Sequence, residues 1–188
     1  MNTPGSRGPV LHDALGLPAD FTAFFSLHHR AYLRYAHLQL GDTADAEWVV
    51  EETFGQLALR WSHALRQPNP SAYALAALKE KVTSLLAARR RPRRALVETA
   101  AFTAVRDATR TRLQALESRL GLYAAITRLP ERQYDVIVLR YILGYPATRV
   151  AEIMGISPAT VRSHARGARR RLAHDLHLEW ADEGKEWS

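Results

Sequence analysis

The sequence predicts an all-α protein made of two small helical domains, and three observations predict it. Apolar residues recur at spacings of three and four along most of the chain, and no run alternates with period two for long enough to propose a sheet. Only 10 Gly and 9 Pro leave little room for low-complexity sequence, and Pro68-Asn69-Pro70-Ser71, Pro92 and Gly144 interrupt the helical pattern. With 188 residues, 47% hydrophobic and 24% charged, the composition is globular, and the length suits two small domains.

Residues 1–19 hold Pro4, Gly5, Gly8, Pro9 and Pro18 with little periodicity and read as a flexible leader. A helix follows, capped by Asp20, with Phe21, Phe24, Phe25, His28, Tyr32, Tyr35 and Ala36 on one aromatic stripe, and Gly41-Asp42 closes it. The second helix runs from Thr43 to Ala64, with Val49, Val50, Phe54, Leu57 and Trp61 on one side and Asp45, Glu47, Glu51 and Glu52 opposite. After the Pro68 to Ser71 turn, with Ser71 as cap, Tyr73, Leu75, Leu78, Val82, Leu85 and Leu86 define a third helix. It runs into Arg89-Arg90-Arg91-Pro92-Arg93-Arg94, where proline stops the helix and the charge density prevents packing. The first domain therefore spans 20–91 and a linker 92–112. A second domain spans 113–178, beginning with Leu113, Leu116, Leu120, Tyr123 and Ile126, and 179–188 form a tail.

In the second domain, a helix from Glu131 to Ile142 ends at Gly144, and a short one from Thr148 to Met154 is followed by Gly155-Ile156-Ser157. Pro158 opens the next. This is helix, turn, helix: Ala151 is small enough for a steep crossing, and Gly155 suits a turn that needs positive φ. On the last helix Val161, Ala165, Ala168 and Leu172 form an apolar back. Arg162, Ser163, Arg166, Arg169, Arg170 and Arg171 occupy the other faces, with no acid between Ser157 and Ala173. Such a helix fits the major groove of duplex DNA, early residues at base edges and later arginines at phosphates. The net charge of +7 and isoelectric point near 10.1 agree with a polyanionic partner.

Other chemistry finds little material. Without cysteine there is no disulfide framework and no thiolate nucleophile or ligand. Adjacent His28 and His29 point to different sides of a helix, and His174 and His177 lack a nearby third ligand, so neither a metal site nor any cofactor is expected. No nucleophile–base pattern or phosphate loop points to an enzyme. The first residues lack a signal peptide's apolar core and no stretch is long enough to span a membrane, which predicts a cytoplasmic protein without membrane insertion.

Leu129-Pro-Glu-Arg-Gln133, Val138-Leu-Arg-Tyr141, Val150-Ala-Glu-Ile153 and Gly155-Ile-Ser-Pro-Ala-Thr-Val-Arg-Ser163 resemble region 4 of sigma-70 family sigma factors. Phe21-x-x-Phe24-Phe25, Gly41-Asp42, Asp45-Ala46-Glu47, Glu52-Thr53-Phe54 and Pro70-x-x-Tyr73 are similar to region 2 of the extracytoplasmic-function class. The resemblance implies a factor that binds bacterial core RNA polymerase and promoter DNA, region 2 on the −10 element and region 4 on the −35 element, with an anti-sigma factor as a usual further partner. It assigns polymerase binding to Asp45, Glu47, Glu51 and Glu52. For the −10 element it points to Trp61, His63, Asn69, Tyr73, Lys79, Arg89 and Arg90, although Trp61 and Tyr73 fit a core equally well. For the −35 element it points to Arg149, Pro158, Thr160, Arg162, Ser163, Arg166, Arg169 and Arg170. Departures stand at Trp48, Lys79-Glu80, Ser84, Arg149 and Gly167, and they predict a divergent region 2 and altered −35 contacts. A sigma-like DNA-binding regulator that no longer initiates is the alternative.

Overall fold

A computed structural model describes residues 16–89 and 121–177, and among them every regular element is helical. The N-terminal unit contains α1 (Ala19–Leu40), α2 (Thr43–Leu59), a single turn α3 (Trp61–Leu65) and α4 (Pro70–Ala88). The C-terminal unit contains a helical stretch over 121–127, then α5 (Glu131–Ile137) continued by a π turn (Val138–Ile142), α6 (Ala147–Met154) and α7 (Pro158–Asp175). Most of the leader and most of the expected linker, Arg90 included, lie outside the described residues, as does the tail.

The ends of the helices follow local chemistry, with two caps shifted from expectation. Pro18, not Asp20, stands at the start of α1, and the Asp20 carboxylate instead accepts from the N–H of Phe21 at 2.9 Å. α1 stops where Gly41 takes φ 71°, its N–H closing on the carbonyl of His37. Asp42 caps α2, accepting from the Asp45 N–H at 2.9 Å. For α4 the cap is Asn69 rather than Ser71, because Pro70 takes the first helical position and leaves Asn69 extended, accepting from the Ala72 N–H at 2.9 Å. The expected helix from Thr43 to Ala64 is broken at Arg60, whose φ of −120° turns the chain so that Trp61 and Ala64 of α3 can enter the core.

Helix α5 does not end cleanly. The Leu143 N–H reaches back five residues to Val138 O at 2.9 Å, which widens the last turn to a π turn before Gly144 at φ 75° reverses it. Periodicity does not report such a widening, since Val138 and Leu139 are buried on either spacing.

The two units lie against one another. Buried side chains of α1 and α4 pack against those of α5 and α6, so one continuous apolar cluster runs from Phe21 and Leu78 through Val136 and Ile153 to Leu172.

Candidate nucleic-acid interface

The last helix is built as its sequence requires. Gly155 ends α6 in the left-handed region at φ 63°, with the Ile156 N–H donating to Ala151 O at 3.0 Å. Ser157 accepts from the Thr160 N–H at 3.0 Å and Pro158 takes the first position of α7. Val161, Ala165, Ala168 and Leu172 are all buried against α5 and α6, and Ala151 is buried at the crossing. On the far side Pro158, Arg162, Ser163, Arg166 and Arg170 are exposed, with Arg171 beside them, while Arg169 is half-buried. Thr160 is drawn into the cap, its hydroxyl 2.8 Å from that of Ser157. The outcome is a helix anchored along one stripe, presenting cations at Arg162, Arg166 and Arg170.

Arg149 is not on that face. Its guanidinium turns towards α1, donating to Leu27 O and pairing with Glu152 at 2.7 Å. Gly167 is also directed inward: a Cβ there would lie 2.9 Å from Gln133 Nε2 of α5, so this glycine belongs to helix packing rather than to the basic face.

In the N-terminal unit the acidic row is partly as expected. Glu47 and Glu51 are exposed, and Glu52 is half-buried within 3.5 Å of Lys81. Asp45 does not stand with them: it is buried, and Arg89 holds it through both guanidinium nitrogens, with Nη2 to Oδ1 at 2.5 Å. The pair ties the start of α2 to the end of α4 and takes the Asp45 carboxylate away from outside partners. Between the remaining acids, Trp48 is 55% exposed.

The group implied for the −10 element is divided. Trp61 is core, 6% exposed, with Phe21 edge-on at 5.2 Å and Phe24 at 5.1 Å. His63 is exposed and meets the half-buried Tyr73 edge-on at 5.8 Å, leaving two neighbouring rings near the surface. Asn69, besides capping α4, donates through Nδ2 to Gly155 O. Lys79 reaches Asp135 at 2.6 Å and also pairs with Glu131.

Sequence reasoning missed the residues that meet Lys79. Asp135 of α5 is 1% exposed and accepts from the Tyr35 hydroxyl at 2.9 Å as well. Burial pushes its carboxyl above the usual carboxylate range, against the opposing pull of Lys79 and the Tyr35 hydroxyl. Nearby Tyr134 donates to Gln39 at 2.9 Å, and Arg34 donates to Leu143 O at 3.0 Å while lying over the Tyr145 ring. The available signal was a lone acid between Tyr134 and the apolar run Val136 to Leu139, which marks a buried charge with a partner but not which partner.

His28 is also a buried titratable group, packed on Phe24 at 4.3 Å. Burial, reinforced by the Arg149 charge and opposed by Glu152, lowers it to about 4. As pH falls from 6.5 towards 4 the unfolded chain takes up a proton that the folded chain refuses, so stability is lost across that window. The expected loss is up to ~3 kcal/mol, offset at its acid end by Asp135, whose raised pKa favours the folded state as pH falls. Denaturation at stepped pH checks this, and His28→Leu should flatten the slope.

Comparison with known proteins agrees with the C-terminal geometry. Residues 119–172, which include the helix-turn-helix segment, match the family model for sigma-70, region 4. Among solved structures, the sigma factor RpoE from Bartonella quintana, crystallised with the anti-sigma factor NepR, is 20% identical with a TM-score of 0.44. That match covers 87% of this chain and 100% of the other. CnrH, solved in complex with the cytosolic domain of CnrY, is 22% identical over 88% of this chain and 93% of its own, with a TM-score of 0.42. No curated protein sequence matches the chain. Among the described residues no helix is long and apolar enough to cross a membrane.

Proposed function

We propose that the chain is a bacterial RNA polymerase sigma factor of the extracytoplasmic-function kind, its region 4 reading the −35 element through α7 and its N-terminal unit serving the −10 element and polymerase. The observation that carries this reading is α7 itself, an apolar-backed helix capped at Ser157 that presents Arg162, Arg166 and Arg170 within a segment matching sigma-70 region 4. In the N-terminal unit the surface polar rings His63 and Tyr73 support base capture. The family resemblance adds an anti-sigma factor as regulatory partner.

For polymerase binding the supporting feature is the outer face of α2, where Glu47 and Glu51 flank an exposed Trp48. Carboxylates around a large aromatic make a good docking face for a basic partner helix, the ring supplying affinity and the acids orientation. Trp48→Ala is expected to weaken binding to core polymerase by about 2 kcal/mol, or thirtyfold, and a Glu47→Lys, Glu51→Lys double variant by at least as much. Binding measured with purified core enzyme checks both.

The deciding experiment is transcription in vitro with core polymerase and a fragmented genome as template. Initiation at discrete sites that share a −35 motif is the expected result. DNA binding without initiation would instead make the chain a sigma-like regulator.

A further inference from the structure

One polar group at the edge of the basic face is supplied by another helix. Gly167 stands midway along α7, and the residues one turn before and after it, Ser163 and Arg170, are both exposed. A Cβ at Gly167 would meet Gln133 Nε2 at 2.9 Å and Gln133 Cδ at 3.6 Å. The space a side chain of α7 would enter is therefore held by the carboxamide of Gln133, which comes from the first turn of α5. The glycine presents nothing itself; the group standing over it belongs to α5.

Neither residue is there for the fold's own benefit. Glycine is unfavourable in a helix interior, where alanine would serve better. Gln133 is half-buried, and its Oε1 is buried with no hydrogen-bond partner among the described residues. An apolar side chain of the same length would pack there without leaving an acceptor unpaired. With the oxygen turned inward, the donor Nε2 is the end that lies over Gly167, between Ser163 and Arg170 along the helix.

We propose that Gln133 is a DNA contact, a neutral donor that α5 lends to the recognition helix and that binds a backbone phosphate oxygen through Nε2. This rests on the DNA reading of α7 above. A phosphate is the partner because Gly167 lies roughly 14 Å along the axis from Pro158, at ~1.5 Å per residue, whereas base edges are met by the early residues of such a helix. The contact is independent of sequence and, being uncharged, adds no counterion release of its own. It raises affinity without steepening the salt dependence, which separates it from the arginines beside it.

The test is duplex binding by the full chain across a salt series. The probe is a mixed-sequence duplex of about 30 base pairs, since a phosphate contact needs no particular sequence. Gln133→Ala is expected to lower affinity about tenfold at every salt concentration and to leave the slope of log affinity against log salt unchanged. Gln133→Lys puts an ammonium in the same place, so it should regain wild-type affinity at low salt and steepen that slope by about one. Gly167→Ala pushes the amide aside, and its affinity should fall about tenfold although thermal unfolding shows no loss of stability. The double variant Gln133→Ala, Gly167→Ala should bind no more weakly than either single, because both remove one contact. Should Gln133→Ala lose helicity, Gly167→Ala and Gln133→Lys carry the test alone. Wild-type affinity in Gln133→Ala or Gly167→Ala, an unchanged slope in Gln133→Lys, or single losses that add in the double variant overturns the contact and leaves the DNA reading of α7 intact. No binding of duplex by any form, at low salt, overturns the DNA reading and the inference with it.

Discussion

Trp61→Ala is expected to lower the unfolding free energy by ~3–5 kcal/mol, enough to unfold much of the N-terminal unit near physiological temperature. The indole is 6% exposed and fills the angle between α1 and α3, edge-on to Phe21 at 5.2 Å and tilted on Phe24 at 5.1 Å. Removing it deletes one of the largest apolar surfaces in the unit and leaves a cavity whose walls belong to two helices and cannot collapse together. Trp61→Phe keeps a ring and should cost less than about 1.5 kcal/mol. The pair of variants separates the two roles open to this residue in the sequence. If Trp61 is core alone, promoter opening by the folded Trp61→Phe variant is unchanged. If the indole captures a base, opening falls while chemical denaturation reports a stable protein. The packing favours the first result.

The second large effect belongs to α7. The combined variant Arg162→Ala, Arg166→Ala and Arg170→Ala should lose roughly 100- to 1000-fold in affinity for duplex DNA and keep its fold, because all three side chains are exposed and the buried stripe of Val161, Ala165, Ala168 and Leu172 is untouched. The two kinds of contact separate in single variants. Arg162, in the first turns, should discriminate by ~1–3 kcal/mol at one base position when intact, so Arg162→Ala relaxes sequence preference there. Arg170, three turns along, should contribute to all sequences alike, and Arg170→Ala should reduce the slope of log affinity against log salt by about one. A salt titration on matched and mismatched duplexes distinguishes them. Equal losses for both variants on every sequence would remove the assignment of Arg162 to base edges.

The distinction between these two helices shows how far a sequence reading reaches. In α7 each functional feature is local: the Ser157-Pro158 start, the four-residue apolar stripe and the arginines between its members all lie within five turns, and helical periodicity alone assigns them to opposite faces. The tight turn before it is equally local, because the positive φ at Gly155 is a property of one residue. Trp61 is different. Its spacing from Phe54 and Leu57 puts it on the apolar side of a continuous α2, yet the break at Arg60 means that its actual burial depends on a turn no periodicity encodes.

Charged residues were harder still. Asp45 and Glu47 look alike on the helix, and only the end of α4, 44 residues on, withdraws the first by bringing Arg89 to it. Lys79 and Asp135 are 56 residues apart, and Arg149 and Leu27 are separated by 122. Gly167 read as a missing DNA contact and proved to be the place where Gln133 approaches α7. Helical periodicity carried the apolar faces and the basic recognition helix, since these follow from steric and hydrophobic rules acting within a few turns, though not the break at Arg60. Only the tertiary structure decided which charges face outward and that the two units close on one another, because a buried charge takes its partner from whichever element the packing brings within hydrogen-bonding distance.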